Sequence, residues 1–378
     1  MEPISVLIVD DSALMRNLIR RMLDADENIE VVGSAMNGMF ALRKTVTLNP
    51  DVIVLDLDMP ELDGLGFLEK RKENNWDVPV VILSAVAKKG AAVTMKALAL
   101  GASDFVTKPS GGSPESNRET AGQLIGMVKG YGGTYQRSKE QTAYRKDISK
   151  PVPVLPIAKA APPTAPRPTR EKQRIADWPE LKPDRQPAPP QIIAIGISTG
   201  GPNALRKVFA EISENLKVPI VVVQHMPAGF TKEFANSLDK ICPLEVKEAE
   251  EGDLIKPGRI LIAPGDKHLK VEKKRLAAVA HVVDGENVNG HKPSAGVLYN
   301  SVAEQYGNAA LAIIMTGMGR DGSREIGGVF KEGSFTLAQD EESSVVFGMP
   351  RVAIEHDYIT QVVSLNGMAA AINRLAGV

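Results

Sequence analysis

One serine of this chain, Ser198, lies in a setting that favours nucleophilic chemistry. It belongs to the glycine-rich segment 196–201, GISTGG, which follows the apolar run 192–195 and precedes a helical pattern over 202–212. A turn between a strand and a helix exposes a serine hydroxyl at the rim of a sheet. It also places that hydroxyl beside backbone N–H groups that the first turn of a helix leaves without partners. The pattern is therefore typical of a nucleophilic serine.

Two other interpretations of the same turn remain open. A glycine-rich turn can merely pack a strand against a helix, or it can hold dinucleotide phosphates at the start of the helix. In the dinucleotide motif G-x-G-x-x-G the second glycine lets the backbone approach the pyrophosphate. Ser198 stands at that position, and no acidic residue ends a neighbouring strand about 20 residues later, where ribose binding would need one. The spacing therefore disfavours the dinucleotide interpretation.

A nucleophilic serine needs a general base and an acid that orients the base. His225 directly follows the apolar run 218–224. Asp321 follows the strand-like run 311–315 and a short glycine-rich segment. Both are expected at the carboxyl ends of strands, on the same rim as Ser198; a core or capping role is the alternative for each. The order Ser, His, Asp differs from that of α/β-hydrolases, so the serine motif is no evidence for that fold.

The single cysteine and the remaining histidines are predicted to carry no chemistry. Cys242 lies in the segment KICPL, without a glycine turn, and is predicted to be structural. One cysteine cannot form an internal disulfide, so a reducing cytoplasm is the simplest compartment. The other four histidines fall in loops or edge-like stretches and are expected to be solvated: His268, His281, His291 and His356.

A second group of polar residues occupies the N-terminal third, each at the end of a strand-like run: Asp10, Asp11, Asp56, Ser84 and Lys108. Carboxylates that meet at one edge of a sheet repel one another unless a cation is present, and Mg²⁺ suits such a group. Asp56 is then placed to attack a phosphoryl group and form an aspartyl phosphate. Ser84 would donate a hydrogen bond to a phosphate oxygen, and Lys108 would supply a positive charge.

Both groups require parallel sheets, and the hydrophobic pattern predicts two of them. In the N-terminal third, strand-like runs alternate with helical patterns, the last helix covering 119–129. Repeated βα units of this length predict a doubly wound, five-stranded parallel sheet. The five strand-like runs are 5–9, 30–34, 51–55, 79–83 and 104–107.

The C-terminal half predicts a second doubly wound α/β domain, mainly parallel, with an antiparallel hairpin that includes 276–283. Between the two, 151–191 is crowded with proline, alanine and basic residues, a composition typical of an extended or disordered linker. The predicted divisions are 1–130, a linker over 131–190, and 191–378. The main strand-like runs of the second domain are 192–196, 219–224, 259–263, 310–315 and 334–339.

Composition excludes several classes of protein. The chain has 378 residues, 43% of them hydrophobic and 24% charged, as in ordinary soluble domains. Its formal net charge of −1 gives no reason to expect nucleic-acid or membrane binding. No apolar run approaches the roughly 18 residues of a membrane span, and the N-terminus does not have the pattern of a signal peptide. A cytoplasmic protein without direct membrane insertion is expected.

The N-terminal part, over roughly residues 5–130, resembles response-regulator receiver domains. The matching stretches are VDDS at 9–12, LDLDMP at 55–60, LSA at 83–85 and VTKP at 106–109. The resemblance implies that Asp56 is the phosphoacceptor, with a histidine kinase as phosphodonor and Mg²⁺ as cofactor. It further implies that Asp11 binds the metal directly, that Asp10 assists, and that the Asp58 backbone carbonyl is a third ligand. Phe105 takes the position of the aromatic switch residue; a half-buried strand residue is the alternative.

The C-terminal part, from residue 192 to about 375, resembles the effector domain of bacterial chemotaxis protein-glutamate methylesterases. The two resemblances together cover everything except the linker. Two positions depart from the family's usual pattern: Gly296 stands where Asp is frequent, and Arg320 where a smaller or uncharged residue is frequent. The matching stretches are GISTGGP at 196–202, QHMP at 224–227, IAPGDKH at 262–268, MTGMGRDG at 315–322 and DEESSVVFGMP at 340–350.

This second resemblance implies roles for the serine site. Ser198 is the nucleophile, His225 the general acid–base and Asp321 the acid that orients His225. The backbone N–H of Met318 stabilises the oxyanion, together with a donor at the turn from Ser198 to Thr199. The esterase reaction needs no cofactor, and its substrates are methyl-accepting chemotaxis receptors, whose glutamate methyl esters yield methanol. Family members often deamidate receptor glutamines as well.

The two halves together suggest a switch. An unphosphorylated receiver would cover the Ser198 rim, and a phosphoryl group on Asp56 would shift the domains towards an open arrangement, which a long tether permits. Three rival functions are kept. A nucleic-acid-binding output would need a basic helix-turn-helix, which the glycine-rich, strand-rich C-terminal half does not suggest. A nucleotide site at the Gly196 turn and a non-catalytic adaptor that docks on receptors are the other two.

Overall fold

The structure, a computed structural model, describes residues 2–85, 88–109, 114–148 and 185–378. The described residues form two lobes, which we call the N-terminal lobe (2–148) and the C-terminal lobe (185–378). Most of the linker predicted over 131–190, namely 149–184, lies outside the described residues. None of the described helices is both long and apolar enough to cross a bilayer.

The N-terminal lobe is built on a five-stranded sheet of order β2-β1-β3-β4-β5, in which every pair is parallel. Strands β3 and β4 are buried along their whole length, as expected for a parallel sheet that is covered by helices on both faces. The predicted doubly wound sheet is confirmed. Its strands are β1 (Ile4–Val9), β2 (Ile29–Ala35), β3 (Val52–Asp56), β4 (Val80–Ser84) and β5 (Asp104–Thr107).

Local sequence explains where the helices of this lobe begin. The side chain of Ser12 accepts a hydrogen bond from the backbone N–H of Met15, which caps α1. Asn37 and Asp63 cap α2 and α3 in the same way. The helices are α1 (Ala13–Leu23), α2 (Gly38–Leu48), α3 (Gly64–Glu73), α4 (Lys88–Ala99) and α5 (Pro114–Ile148).

Helix α5 differs from the prediction, because it continues far beyond residue 129, where the sequence pattern ended it. The helical pattern is lost after that point, where several glycines occur. In the structure, a Cβ atom on Gly132 would overlap the side chain of Ile4 on β1, so the glycine lets the helix approach the sheet. Further along, Gln136 and Lys139 both bond the buried carboxylate of Asp51. Tertiary contacts therefore extend this helix through a sequence with low helix propensity.

The C-terminal lobe is built on a seven-stranded sheet of order β15-β14-β13-β6-β7-β10-β8, and all its pairs are parallel. The predicted mainly parallel sheet is confirmed, and the short edge strands β8 and β15 add to it. The strands are β6 (Ile192–Ile197), β7 (Ile220–Gln224), β8 (Glu245–Glu248), β10 (Arg259–Ile262), β13 (Ala310–Ile314), β14 (Phe335–Gln339) and β15 (Gln361–Val363).

A separate antiparallel sheet of order β11-β12-β9 confirms the predicted hairpin. Its strands are β9 (Leu254–Ile255), β11 (His268–Lys273) and β12 (Ala278–Val283). Helix α8 packs against β11 and also against β6 and β7 in the centre of the parallel sheet. The helices of this lobe are α6 (Gly201–Ala210), α7 (Phe230–Asp239), α8 (Ala295–Tyr306), α9 (Ile326–Lys331), α10 (Met349–Glu355) and α11 (Leu365–Leu375).

Candidate active site

Ser198 lies where the sequence places it, immediately after the central strand β6. Its backbone N–H donates to the carbonyl of Thr316, which follows the neighbouring strand β13. The turn then closes with a bond from the Gly201 N–H to the Ser198 carbonyl, and α6 begins. Gly200 has a φ of 83°, a conformation that favours glycine over other residues. The serine is therefore held on a tight turn at the carboxyl edge of the sheet.

His225 follows β7, the strand next to β6, and its backbone N–H donates to the carbonyl of Ile197. Its ring is buried, and Nε2 lies 2.8 Å from Oδ2 of Asp321. The other nitrogen, Nδ1, is buried without a hydrogen-bond partner among the described residues. A neutral imidazole that donates from Nε2 to a carboxylate carries its lone pair on Nδ1. Nδ1 is thus the nitrogen available to accept a proton from Ser198.

Asp321 is fully buried and accepts several hydrogen bonds besides that from His225. Its Oδ1 accepts from the Ser294 hydroxyl at 2.6 Å and from the Asn289 side chain at 3.1 Å. Its Oδ2 accepts from the Ala295 N–H at 2.6 Å. Burial alone would raise the pKa of this carboxyl, but the bonds from His225, Ser294 and Asn289 hold its pKa at about 2. Asp321 is therefore ionised at neutral pH and stabilises a protonated His225.

Two histidines that were expected to be solvated lie inside the site, and that expectation was wrong for both. The ring of His291 stacks on that of His225, with centroids 3.8 Å apart and planes 13° from parallel. Burial and the nearby His225 lower the pKa of His291 to about 4, so it is neutral at pH 7. His268 is 3% exposed, and its Nδ1 accepts from the backbone N–H of Ser294. For His268 the signal available in the sequence was its place in the stretch 262–268, which matches the family, whereas His291 lies in none of the matching stretches.

The loop that carries Met318 comes close to Ser198, as the oxyanion prediction requires. A Cβ atom on Gly317 would lie 2.8 Å from the Cβ of Ser198, so only a glycine allows this approach. Thr199, the other residue of the prediction, is buried beside it and its carbonyl accepts from the Thr316 hydroxyl. Among the described residues no backbone carbonyl accepts a hydrogen bond from the Met318 N–H, so this donor is available to a ligand.

The N-terminal lobe covers this rim. A cavity of about 650 Å³ lies between the lobes and is lined by Ser198, His225 and His291 on one side and by β5 and α5 residues such as Arg118 on the other. A Cβ atom on Gly126 of α5 would overlap the Met318 side chain, so α5 passes directly over the loop that carries Met318. A protein substrate therefore cannot reach Ser198 in this arrangement unless the lobes separate.

Three polar contacts join the lobes next to the nucleophile. The Gly200 N–H donates to Oδ2 of Asp104 at 2.7 Å. The side-chain amide of Asn203 donates to the carbonyls of Ala102 and Ser103, at 3.0 and 2.7 Å. Asp104 is completely buried, and this burial raises its pKa to about 6. The contacts bind the β5 end of the N-terminal lobe to the first turn of α6.

The second predicted group also comes together, at the carboxyl edge of the N-terminal sheet. Ligand oxygens of Asp10, Asp11 and Asp56 lie within 4.8 Å of one another. The Lys108 ammonium lies 2.9 Å from both Asp10 and Asp56, and burial raises the pKa of Asp56. Three carboxylates are the hard oxygen donors that Mg²⁺ prefers, so the donor set fits this ion.

The remaining members of that group occupy the surroundings of the carboxylates. Ser84 ends β4, and its hydroxyl lies 2.7 Å from that of Thr94 on α4. The Asp58 side chain is exposed, in the loop after β3. Phe105 is 7% exposed and stacks on Phe230 at the start of α7, with centroids 4.9 Å apart. This aromatic pair links the strand that precedes Lys108 to the C-terminal lobe.

Comparison with known proteins matches a separate family model to each lobe. Residues 193–372 match the CheB methylesterase family model, and residues 6–114 match the response regulator receiver domain model. A protein-glutamate methylesterase/protein-glutamine glutaminase of Treponema denticola is 57% identical over 99% of this chain and 98% of its own length. The protein of the same name from Treponema pallidum is 48% identical over 98% and 96%.

Solved structures include the CheB methylesterase catalytic domain of Thermotoga maritima. It is 39% identical, with a TM-score of 0.48, and the match covers 49% of this chain and 98% of that domain. The response regulator domain of Thermotoga maritima CheB is 36% identical, with a TM-score of 0.32, over 35% of this chain and 98% of that domain.

Proposed function

The chain belongs to the CheB methylesterase family, and on this premise we propose that it hydrolyses glutamate γ-methyl esters of methyl-accepting chemotaxis receptors under the control of Asp56 phosphorylation. The observation that carries the proposal is the buried pair of His225 and Asp321 on the rim that bears Ser198, with Nδ1 of His225 left without a partner. We propose that the reaction serves chemotaxis adaptation in the cytoplasm.

The residues of the site suffice for acyl transfer. Ser198 Oγ attacks the ester carbonyl and gives its proton to Nδ1 of His225, while Asp321 stabilises the imidazolium. The Met318 N–H and the turn at Thr199 stabilise the oxyanion, and removing one such donor typically costs about 100- to 1,000-fold in rate. The proton then passes from His225 to the leaving methoxide, and methanol departs from the acyl-enzyme. Water repeats the cycle and releases the glutamate.

The same acyl intermediate would allow a second reaction. A receptor glutamine would lose ammonia in place of methanol and then yield the same glutamate. The names of the Treponema relatives include a glutaminase activity, which supports deamidation as a second proposed activity. Both reactions use the same proton transfer between Ser198 and His225, so a single variant of Ser198 should abolish both.

The contacts between the lobes support control by phosphorylation. We propose divisions at 1–130 and 191–378, with the first division covering the Ser198 rim in the unphosphorylated protein. Asp56 would accept the phosphoryl group from a histidine kinase, with Ser84 and Lys108 bonding its oxygens. Mg²⁺, when held by Asp10, Asp11, Asp56 and the Asp58 carbonyl, offsets the charge of the carboxylates and of the incoming phosphoryl group.

Phe105, the proposed switch residue, contacts a residue of the C-terminal lobe. Because Phe105 stacks on Phe230, a change in the position of its ring on phosphorylation would disturb the contact between the lobes. The contacts of Asp104 and Asn203 lie in the same patch and would be lost together when the lobes part. The lobes are thus proposed to have two arrangements whose populations phosphorylation shifts.

The chemistry is tested by methanol release from a methylated receptor fragment. The full chain should release methanol and the variant Ser198→Ala should not, whereas Ser213→Ala, a serine after α6 and outside the site, should match the unmodified protein. Equal rates for Ser198→Ala would reject the esterase. Full receptor binding without methanol release would instead support the adaptor.

Control by phosphorylation is tested separately. A small phosphodonor with Mg²⁺ should raise the rate of methanol release by the full chain and leave that of Asp56→Ala unchanged. An equal rise in both proteins would reject Asp56 as the control point, while leaving the esterase chemistry in place.

A further inference from the structure

Gln224, the residue before His225, has a role that the proposed reaction does not use. Its side chain is 2% exposed at the end of β7. Its amide nitrogen donates to the backbone carbonyl of Ser198 at 3.0 Å and to that of His225 at 3.1 Å. One buried amide thus bonds the backbone of both the nucleophile and the base.

The orientation of this amide follows from its partners. Both partners are carbonyl oxygens, which only accept, so the NH₂ group must face them. The amide oxygen, Oε1, then faces Gly201, and a Cβ atom on that glycine would overlap it. Gly201 does not have a positive φ, so its backbone would accept alanine. The glycine is needed here for the space that the amide of Gln224 fills.

The two hydrogen bonds of the Gln224 amide lie just beyond the point where the backbone pairing between β6 and β7 ends. The pairing of β6 with β7 ends at Ile197 and Gln224. Beyond it, one further backbone bond runs from the His225 N–H to the Ile197 carbonyl. The side chain of Gln224 supplies the next link, which joins the Ser198 and His225 peptides directly.

We infer that Gln224 is a positioning residue for the esterase: its amide sets the distance and angle between Ser198 Oγ and Nδ1 of His225, and Gly201 is kept small to admit it. This inference rests on the proposed function. A displacement of about 1 Å in such a pair can cost about 100-fold in rate. Loss of the amide should therefore lower kcat and leave KM nearly unchanged, because Gln224 bonds only the protein's own backbone.

The first experiment is a double-mutant cycle with Gly201→Ala, Gln224→Ala and the double variant, all in the full chain. Two rates are measured: methanol release, and labelling of Ser198 by a fluorophosphonate, which needs the aligned serine and histidine but no receptor. Each single variant should lower both rates about tenfold or more. The double variant should stay within about threefold of Gln224→Ala, because the added methyl has no amide left to displace. Additive losses would overturn the inference.

The second experiment separates positioning from mere support of the fold. A protonated glutamic acid can donate one O–H to one of the two carbonyls, whereas an ionised one has no donor and repels both. The ratio of kcat for Gln224→Glu to that of the unmodified chain should therefore rise as the pH falls from 8 to 5. The same ratio for Gln224→Met should stay flat and low. A Met variant with unchanged kcat, or a Glu ratio that does not depend on pH, would overturn the inference.

The two experiments also distinguish this inference from the proposed function. If the unmodified chain is labelled by the fluorophosphonate but releases no methanol from receptor fragments, the proposed substrate is wrong and the labelling rates still decide the role of Gln224. If Gln224→Ala does not fold, the pH dependence of the kcat ratio for Gln224→Glu tests the positioning role by itself.

Discussion

Removal of the Asn203 side chain should raise the activity of the unphosphorylated protein. Its amide makes two hydrogen bonds across the boundary between the lobes, to Ala102 and Ser103. A hydrogen bond of this kind contributes about 0.5–1.5 kcal/mol, so Asn203→Ala should weaken closure by about 1–3 kcal/mol. If only a small fraction of the molecules has the lobes apart, that fraction should then rise by about 5- to 150-fold. Because the Asn203 amide bonds the carbonyls of Ala102 and Ser103 and not Ser198 or His225, the chemistry itself should not change.

The assay is methanol release by the full chain without phosphodonor. Asn203→Ala should have a raised basal rate and a smaller further rise on phosphorylation, since both act on the same equilibrium. Asn300→Ala, an exposed asparagine on α8, is the matched control and should behave like the unmodified chain. If Asn203→Ala keeps the basal rate while phosphodonor still activates the unmodified chain, the contacts seen between the lobes do not restrain the enzyme.

Asp104 is a less direct test of the same boundary, because two effects oppose each other. Its hydrogen bond from the Gly200 N–H is charge-assisted, and such bonds contribute about 1.5–3 kcal/mol. Its burial raises the pKa from the ordinary 3.8 to about 6, and a rise of this size corresponds to about 3 kcal/mol against the ionised form. That raised pKa already includes the lowering effect of the Gly200 bond, so burial outweighs the bond and disfavours the ionised carboxylate relative to the protonated one.

Three further results are expected. Because the pKa of Asp104 is raised in the closed form, its contribution to closure is full below about pH 4 and is lost as the pH rises through 6. The ratio of basal rates, the unmodified chain over Asp104→Asn, should thus fall from pH 7 to pH 5, because only the unmodified chain gains closure when the carboxyl is protonated, and a ratio that rises would contradict this sign. His291→Phe should keep kcat within about threefold and His291→Ala should lose about tenfold, because aromatic stacking contributes about 0.5–1.5 kcal/mol; equal losses in methanol release would exclude stacking as its role. Gly296→Asp should lower the free energy of unfolding by about 1–3 kcal/mol, since a Cβ atom there lies 2.9 Å from the Glu325 carboxyl carbon. Denaturant unfolding should show recovery when Glu325→Ala is added, and no recovery would mean that the two side chains do not compete.

The sequence predicted those parts of the molecule that local patterns determine. Short continuous apolar runs that alternate with helical patterns placed both parallel sheets, and with them Ser198, His225 and Asp321 on one rim. The catalytic roles of these residues stay predictions. The burial of His268 and His291 could not be predicted, because it depends on how the loop before α8 folds over the sheet. The short edge strands have too few residues to produce a pattern.

The departure of Gly296 from the family's usual Asp has a physical reason in this chain. The side chain of Glu325, at the start of α9, fills the space beside Gly296, and the Asn289 amide donates to both Glu325 and Asp321. A carboxylate is thus still present next to Asp321, the proposed orienting acid, although a different element supplies it. A comparison at position 296 alone shows the loss of a carboxylate, whereas the structure shows that the Glu325 carboxylate takes its place.

Helix α5 shows the same limit of local patterns on a larger scale. The helical pattern in the sequence ends near residue 130. In the structure, Gly126 and Gly130, four residues apart, share one face of the helix, and Cβ atoms there would overlap Met318 and Val345 of the C-terminal lobe. Gly132 faces the opposite way, against Ile4 of the N-terminal sheet. The glycines therefore let one helix approach both lobes closely. The same glycines that lower the helix propensity of this sequence allow α5 to cover the loop that carries Met318.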